Sequence, residues 1–413
     1  MPSAFHPRTA PLNSVGRKCP SAPYRCGGVS RCNHCRDNSL VFLVKSQVMK
    51  LGLRFEYALA IFATLGQACH LLKRQKTLAG ILLIIIGIQF NSMADQITEL
   101  NAKGRDAYKN DDYATAVVCF SKLIPFNDPD AYYYRGLTYF EMGEYDKTIS
   151  DINESIVRFP RKHAFTVRGN AYAKLQDHQK AVDDYTEAIK QEDLHKERIY
   201  YSRAQEFYLL REYYAALIDC KSAVMILSEM TNSEALLGKT YMIEGLAYEG
   251  VGQIGQAFTM YSMSIPIQRK LPISSQDYLV FSKRGRIYDT RGRYDEAISD
   301  YKEAVHIDPE SPVANFYLAS FLAVCADEKY RDGKQAMAYA KKACELNHWN
   351  DSSCLETYAA ATAEAGRFDE AVKWQMKAIS LDLKGERLKT AQERLELYQH
   401  NKPYHEVHDI KGA

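Results

Sequence analysis

Residues 278–311 read YLVFSKRGRIYDTRGRYDEAISDYKEAVHIDPES, with Gly285, Tyr288, Gly292, Tyr294, Ala297, Tyr301, Ala304 and Pro309 at offsets that suit a pair of short amphipathic helices. Gly292 releases the chain between the helices and Pro309 stops the second. Two antiparallel helices approach closely only where they present small side chains, so Gly285 on the first is expected to face Ala297 on the second. Tyr288, Tyr294 and Tyr301 fall at helical intervals that fill the space around that contact.

Working outward, the same pattern recurs. Residues 131–160, AYYYRGLTYFEMGEYDKTISDINESIVRFP, carry Gly136, Tyr139, Gly143, Tyr145, Ile152 and Pro160 at matching offsets. The small residue of the first helix recurs as Gly104, Gly136, Gly169, Ala204, Gly245, Gly285, Ala319 and Ala359, which gives eight copies over about 95–381. The gaps of 41, 40 and 40 after the fourth, fifth and seventh copies, against 32–35 elsewhere, place lengthened helices or loops there. In the seventh copy SPVANFYLASFLAVC and GKQAMAYAKKACEL are joined by the longer ADEKYRDG.

These offsets resemble the tetratricopeptide repeat, TPR. LETYAAATAEAGRFDEAVKWQMKAISLD, with FLAVCADEKYRDGKQAMAYAKKACEL before it and LELYQHNKPYHE after it, is similar to the C-terminal module of many bacterial TPR proteins. The resemblance implies an all-α, right-handed superhelical solenoid of about eight TPR helix-turn-helix repeats over residues 95–400, with a C-terminal capping helix at Glu386–His400. One repeat cannot bury its apolar face alone, so neighbours must stack. Residues 401–413 are expected to be a flexible tail.

The segment ahead of the repeats differs physically. Residues 1–94 hold about 12 Lys/Arg against Asp37 and Glu56, which leaves the remainder of the chain acidic by about eight charges. A mildly acidic body carries no phosphate-neutralising stripe, so nucleic acid is not an expected partner. Residues 1–54 are rich in basic residues, Pro, Ser and Cys without periodicity and are expected to be a disordered leader that is not part of the native chain if translation starts nearer Met49 or Leu72. Residues 55–94 are expected to be a hydrophobic signal peptide or membrane anchor. In LKRQKTLAGILLIIIGIQFNSMADQ a basic stretch precedes an apolar run and the small residues Ser92 and Ala94, the layout of an exported protein, while FEYALAIFATLGQACHLL could pair with that run as a membrane hairpin. The body is therefore expected to be exported to the periplasmic side or membrane-linked, and cytoplasmic if the true start follows the apolar run.

No Gly-rich phosphate loop, GxSxG or HExxH lies on the repeats, so the chain is not expected to be an enzyme. Cys19, Cys26, Cys32 and Cys35 with His34 lack the second ligand pair a zinc site needs, and His400, His405 and His408 read as a solvated tail; no metal or cofactor is expected. Cys119, Cys220 and Cys344 read as small buried hydrophobes. Most helical Asp and Glu read as solvated faces.

The resemblance implies that first-helix residues flanking the small position line the inner face. In this sequence these are Asn101 and Arg105, Tyr133 and Phe140, Thr166 and Asn170, and Tyr201, Gln205 and Tyr208. An aromatic floor with scattered amides suits a protein or peptide ligand. The expected function is a protein-binding scaffold or adaptor. A self-associating structural protein and an enzyme accessory subunit are the alternatives.

Overall fold

In the computed structural model, residues 76–161, 163–191, 195–381 and 383–407 are described, with backbone only for 76–86 and 90. The chain divides into Met1–Ser92 and Met93–Ala413. In the first unit the described residues belong to the helix Lys76–Lys109 (α1). Among the described residues no helix is long and apolar enough to cross a membrane. The candidate spans over 55–75, the side chains of 76–86, and Cys19, Cys26, Cys32, His34 and Cys35 lie outside them, so the expected transmembrane helix has no counterpart here.

The second unit is all-α, and among its described residues there is no strand. From Met93 on, α1 packs with Tyr113–Leu123 (α2), and six further pairs follow: Ala131–Glu141 (α3) with Tyr145–Arg158 (α4), Ala164–Lys174 (α5) with His178–Lys190 (α6), Lys196–Leu209 (α7) with Tyr213–Leu227 (α8), Glu234–Gly250 (α9) with Ile254–Gln268 (α10), Tyr278–Thr290 (α11) with Tyr294–Ile307 (α12), and Pro312–Val324 (α13) with Gly333–Leu346 (α14). The eighth pair is Ser352–Glu364 (α15) with Phe368–Ser380 (α16), closed by Gly385–Gln399 (α17). Contacts run between consecutive helices, the pattern of a solenoid in which each repeat leans on the next.

The glycines act as seats for large side chains. A Cβ on Gly169 would lie 2.9 Å from the Tyr185 ring, one on Gly136 2.9 Å from Ile152, and one on Gly104 2.9 Å from Phe120. In the sixth repeat a Cβ on Gly285 would lie 3.0 Å from the Tyr301 ring and 3.3 Å from the Ala297 carbonyl oxygen. The expected small-on-small contact of Gly285 with Ala297 is thus half of the arrangement. A bulky ring on the second helix fills the notch that the glycine leaves.

Seven residues after the small position the chain turns through a left-handed residue in seven repeats: Asp111, Gly143, Gln176, Arg211, Gly252, Gly292 and Gly366. The next N–H then bonds a carbonyl five residues back, as from Arg293 to Tyr288 at 2.9 Å, which caps the first helix.

Not all helical acids are solvated. Arg135 with Asp151, Arg168 with Asp184, Arg203 with Asp219, and Arg284 with Asp300 form bidentate pairs, each Nε to Oδ2 and Nη2 to Oδ1 at 2.6–2.8 Å. Asp151, Asp184, Asp219 and Asp300 are all buried. These four are exceptions to the expectation that most helical acids face water. Three of the arginines also reach the preceding repeat, through Ser121, Asn153 and Thr186. In the fifth repeat Glu244 takes the arginine's place, and burial raises its carboxyl pKa above the usual range.

The C-terminus differs from expectation. The cap α17 buries Ala391 and Tyr398 fully, and Gln375 Nε2 donates to the Ala391 carbonyl at 3.0 Å. Residues 402–407, expected within a free tail, return over the last two repeats. Glu406 N donates to the Val324 carbonyl at 2.8 Å, His405 Nε2 lies 2.7 Å from Glu364, and Tyr404 packs on the core beneath Arg394, 4.3 Å from its ring centroid. Glu364 also pairs with Arg331 of the ADEKYRDG insertion at 3.1 Å, which gives this stretch a docking point that an isolated tail would lack.

Candidate functional site

First helices of the third, fourth and fifth repeats border an open concavity of about 430 Å³. Helix α5 contributes Thr166 and Asn170, α7 contributes Arg198, Ile199, Tyr201 and Ser202, and α9 contributes Ala235, Leu236 and Lys239. Tyr185 OH donates to Asn170 Oδ1 at 2.7 Å, so the Asn170 Nδ2 keeps its protons for a ligand. Tyr201 forms an apolar wall, and burial, with the Asp277 charge behind it, pushes its phenol up to about 12, so it stays neutral. Lys239 carries its charge close enough to lower the pKa of Asp277, whose carboxyl burial otherwise raises.

The structure therefore brings together Thr166, Asn170 and Tyr201 of the nine residues proposed from the sequence. The others are distributed differently. Asn101 Nδ2 donates to Asp128 and Asp130, and the Arg105 guanidinium is bound to Asp130 and lies 4.6 Å over Tyr134, so both are held within the first two repeats. Tyr133 meets Tyr134 edge-on at 5.3 Å with Arg161 over its face, and Phe140 meets Tyr145 at 5.5 Å. Tyr208 packs beside Tyr213 at 5.9 Å and on the cluster of Ala216, Leu217 and Ala247, which reaches into the next repeat. Gln205 is half-buried on α7 outside the concavity.

Comparison with known proteins adds the family. Two tetratricopeptide-repeat models match residues 130–161 and 163–192, and a TPR-repeat model matches 285–322. The chain is a tetratricopeptide-repeat protein. No curated protein matches the sequence. Similar solved structures include a tetratricopeptide-repeat protein from Parabacteroides merdae, 13% identical over 74% of this chain and 99% of that one, TM-score 0.43. The C-terminal part of a TPR repeat-containing protein from Cytophaga hutchinsonii is 19% identical over 60% of this chain and 96% of its own, TM-score 0.44. The MamA protein is 20% identical over 43% of this chain and 93% of its own, TM-score 0.38.

Tetratricopeptide repeats are protein-interaction units, and this tetratricopeptide-repeat protein is a protein-interaction scaffold. Two charged residues of the concavity, Arg198 and Lys239, were not singled out from the sequence. Each stands six residues before the small position, at Ala204 and Gly245, one turn ahead of the flanking positions chosen. A helical reading extended by that turn would have found them, because i and i+3 or i+4 share a face. Neither makes an ion pair among the described residues. Among the described residues, too, no group of three or more His, Cys, Asp or Glu could hold a metal ion.

Proposed function

We propose that this TPR protein is an adaptor that holds an extended, carboxylate-bearing peptide segment of a partner protein across its third to fifth repeats. The observation that carries the reading is the donor surplus of the concavity. Arg198, Lys239 and the Asn170 amide all offer protons there, and among the described residues neither cation makes an ion pair, although the Asp277 carboxyl lies within electrostatic reach of Lys239. Such a surface favours ligands that supply acceptors, while Tyr201 and Leu236 supply apolar contact area for a side chain between them.

The test is affinity capture with the full chain, followed by anisotropy titration of acidic peptides from the captured proteins. Arg198→Glu with Lys239→Glu should weaken binding at least about tenfold, given the worth of charge-assisted hydrogen bonds, and leave the melting transition in place. Unchanged affinity refutes the site. A mass that rises with concentration, with no peptide bound, supports the self-associating alternative instead. As to location, we propose that the body is exported or membrane-linked through residues 55–94, on the basic-apolar-small layout of 72–96. Mass spectrometry of the native protein should then find a start near Asp95 or a full chain in the membrane fraction; a full chain in the cytosol refutes both.

A further inference from the structure

The last two repeats hold a pair of thiols that the adaptor reading does not use. Cys344 closes α14 and Cys354 opens α15, so the two belong to adjoining repeats joined by residues 347–351. Both are buried, at 0% and 4% exposure, in one apolar cluster, and both are free thiols. The connection folds tightly around them. His348 and Trp349 take left-handed backbone angles, φ 52° and 56°, which turn the chain back on itself. Trp349 N–H donates to the Cys344 carbonyl at 2.7 Å, Asp351 caps α15 by accepting from Cys354 N–H at 2.8 Å, and Asn347 Nδ2 donates to Cys354 Sγ at 3.1 Å. The two thiols thus lie in the same buried cluster on either side of this turn, close enough that each shifts the pKa of the other.

We propose that Cys344 and Cys354 form a native dithiol that closes to a disulfide by exchange with a low-molecular-weight disulfide, bolting the seventh repeat to the eighth. In the first step the Cys354 sulfur, as thiolate, attacks one sulfur of the donor disulfide, whose S–S bond breaks and releases one donor thiolate. In the second, the Cys344 sulfur, as thiolate, attacks the Cys354 sulfur of the mixed disulfide and expels the second donor thiolate. The protein gives up two electrons and two protons, and the donor takes them as two thiols. The order follows from the contacts. Cys354 is the less enclosed of the two, and its neighbours Cys344 and Asn347 lower its pKa, whereas Cys354 and burial push Cys344 up.

The consequence follows from solenoid mechanics. Stability in a stack is carried by the interface between neighbours, and the terminal repeat has one such interface fewer, so it opens first. A covalent link between α14 and α15 removes that opening mode at the end where Tyr404 and the cap also bind.

Both tryptophans of the chain lie beside the pair and report on it. Trp349 sits within the connection and stacks on Trp374 at 4.6 Å. The folded full chain is incubated with oxidised glutathione, unfolded under acid, alkylated and mapped without reductant. The expected result is a peptide pair joined through Cys344 and Cys354, loss of both thiols to alkylation, and reduced tryptophan emission, all reversed by dithiothreitol. Cys344→Ser should show none of these and should trap Cys354 as its glutathione adduct. Free thiols at both positions in the oxidised folded chain overturn the proposal. So does a stable Cys354 adduct in the unmutated protein, or a cross-link that forms only after denaturation.

Discussion

Replacing Arg203 by Met should be among the most damaging single changes in the repeats. The Arg203 side chain is 15% exposed and its partner Asp219 3%, and the guanidinium donates to both Asp219 oxygens at 2.7 and 2.8 Å and to Thr186 Oγ1 at 2.8 Å. Methionine keeps the apolar stem but strands a buried carboxylate, a loss of about 3–5 kcal/mol. The pH dependence follows in sign. Burial already raises the Asp219 pKa, and Arg203 pulls it back, so without the arginine it rises further. Between the unfolded and the raised folded pKa, the unfolded chain holds fewer protons than the folded one. Stability therefore falls as pH rises through that window, and the penalty of Arg203→Met should be largest at neutral pH and shrink in mild acid. Arg203→Met with Asp219→Leu removes both charges and should recover most of the loss. Urea unfolding followed by circular dichroism gives the size, and hydrogen exchange in α7 and α8 shows where the array opens. A single variant that costs less than about 1 kcal/mol, or a double variant as damaged as the single one, would refute the view of this pair as an electrostatic necessity.

Ala297→Leu should cost on the order of 1–3 kcal/mol by crowding the α11–α12 contact, while the exposed change Lys302→Glu should be nearly silent; equal denaturation midpoints would contradict the register. Tyr201→Ala and Tyr208→Ala each remove a ring packed on the cluster that joins the fourth and fifth repeats, and should lower stability on the order of 2 kcal/mol whether or not a peptide is bound, as calorimetry would show. Ending the chain after Asn401 removes Tyr404 and the Glu406 bond to Val324, and should loosen the last two repeats by about 1–2 kcal/mol, read as an earlier change in tryptophan emission on heating. Unchanged emission would mean that the returning segment adds nothing.

Much of the fold was legible from Gly285, Tyr288, Gly292, Tyr294 and Pro309 and their counterparts, because backbone turns and helix contacts demand particular residues at fixed offsets, and those demands act within some 34 residues of one another. Thr166, Asn170 and Tyr201 were put on the inner face by the TPR resemblance, and helical periodicity then says which residues share that face with them. The chain could not reveal which inner-face positions are already occupied. Arg105 sits where a ligand contact was expected, but Asp130 takes it, and Asp130 lies across a helix boundary. Arg135 and Asp151, sixteen residues apart, carry no mark of pairing in the sequence, and antiparallel packing lays one against the other. The path of residues 402–407 was equally hidden, since Glu364 and the Val324 carbonyl that receive them come from two different repeats. Local offsets were set by the sequence within each repeat; pairing between charges, thiols and rings on neighbouring helices was decided only when the repeats stacked, because those energies depend on distances and burial that no spacing in the chain encodes.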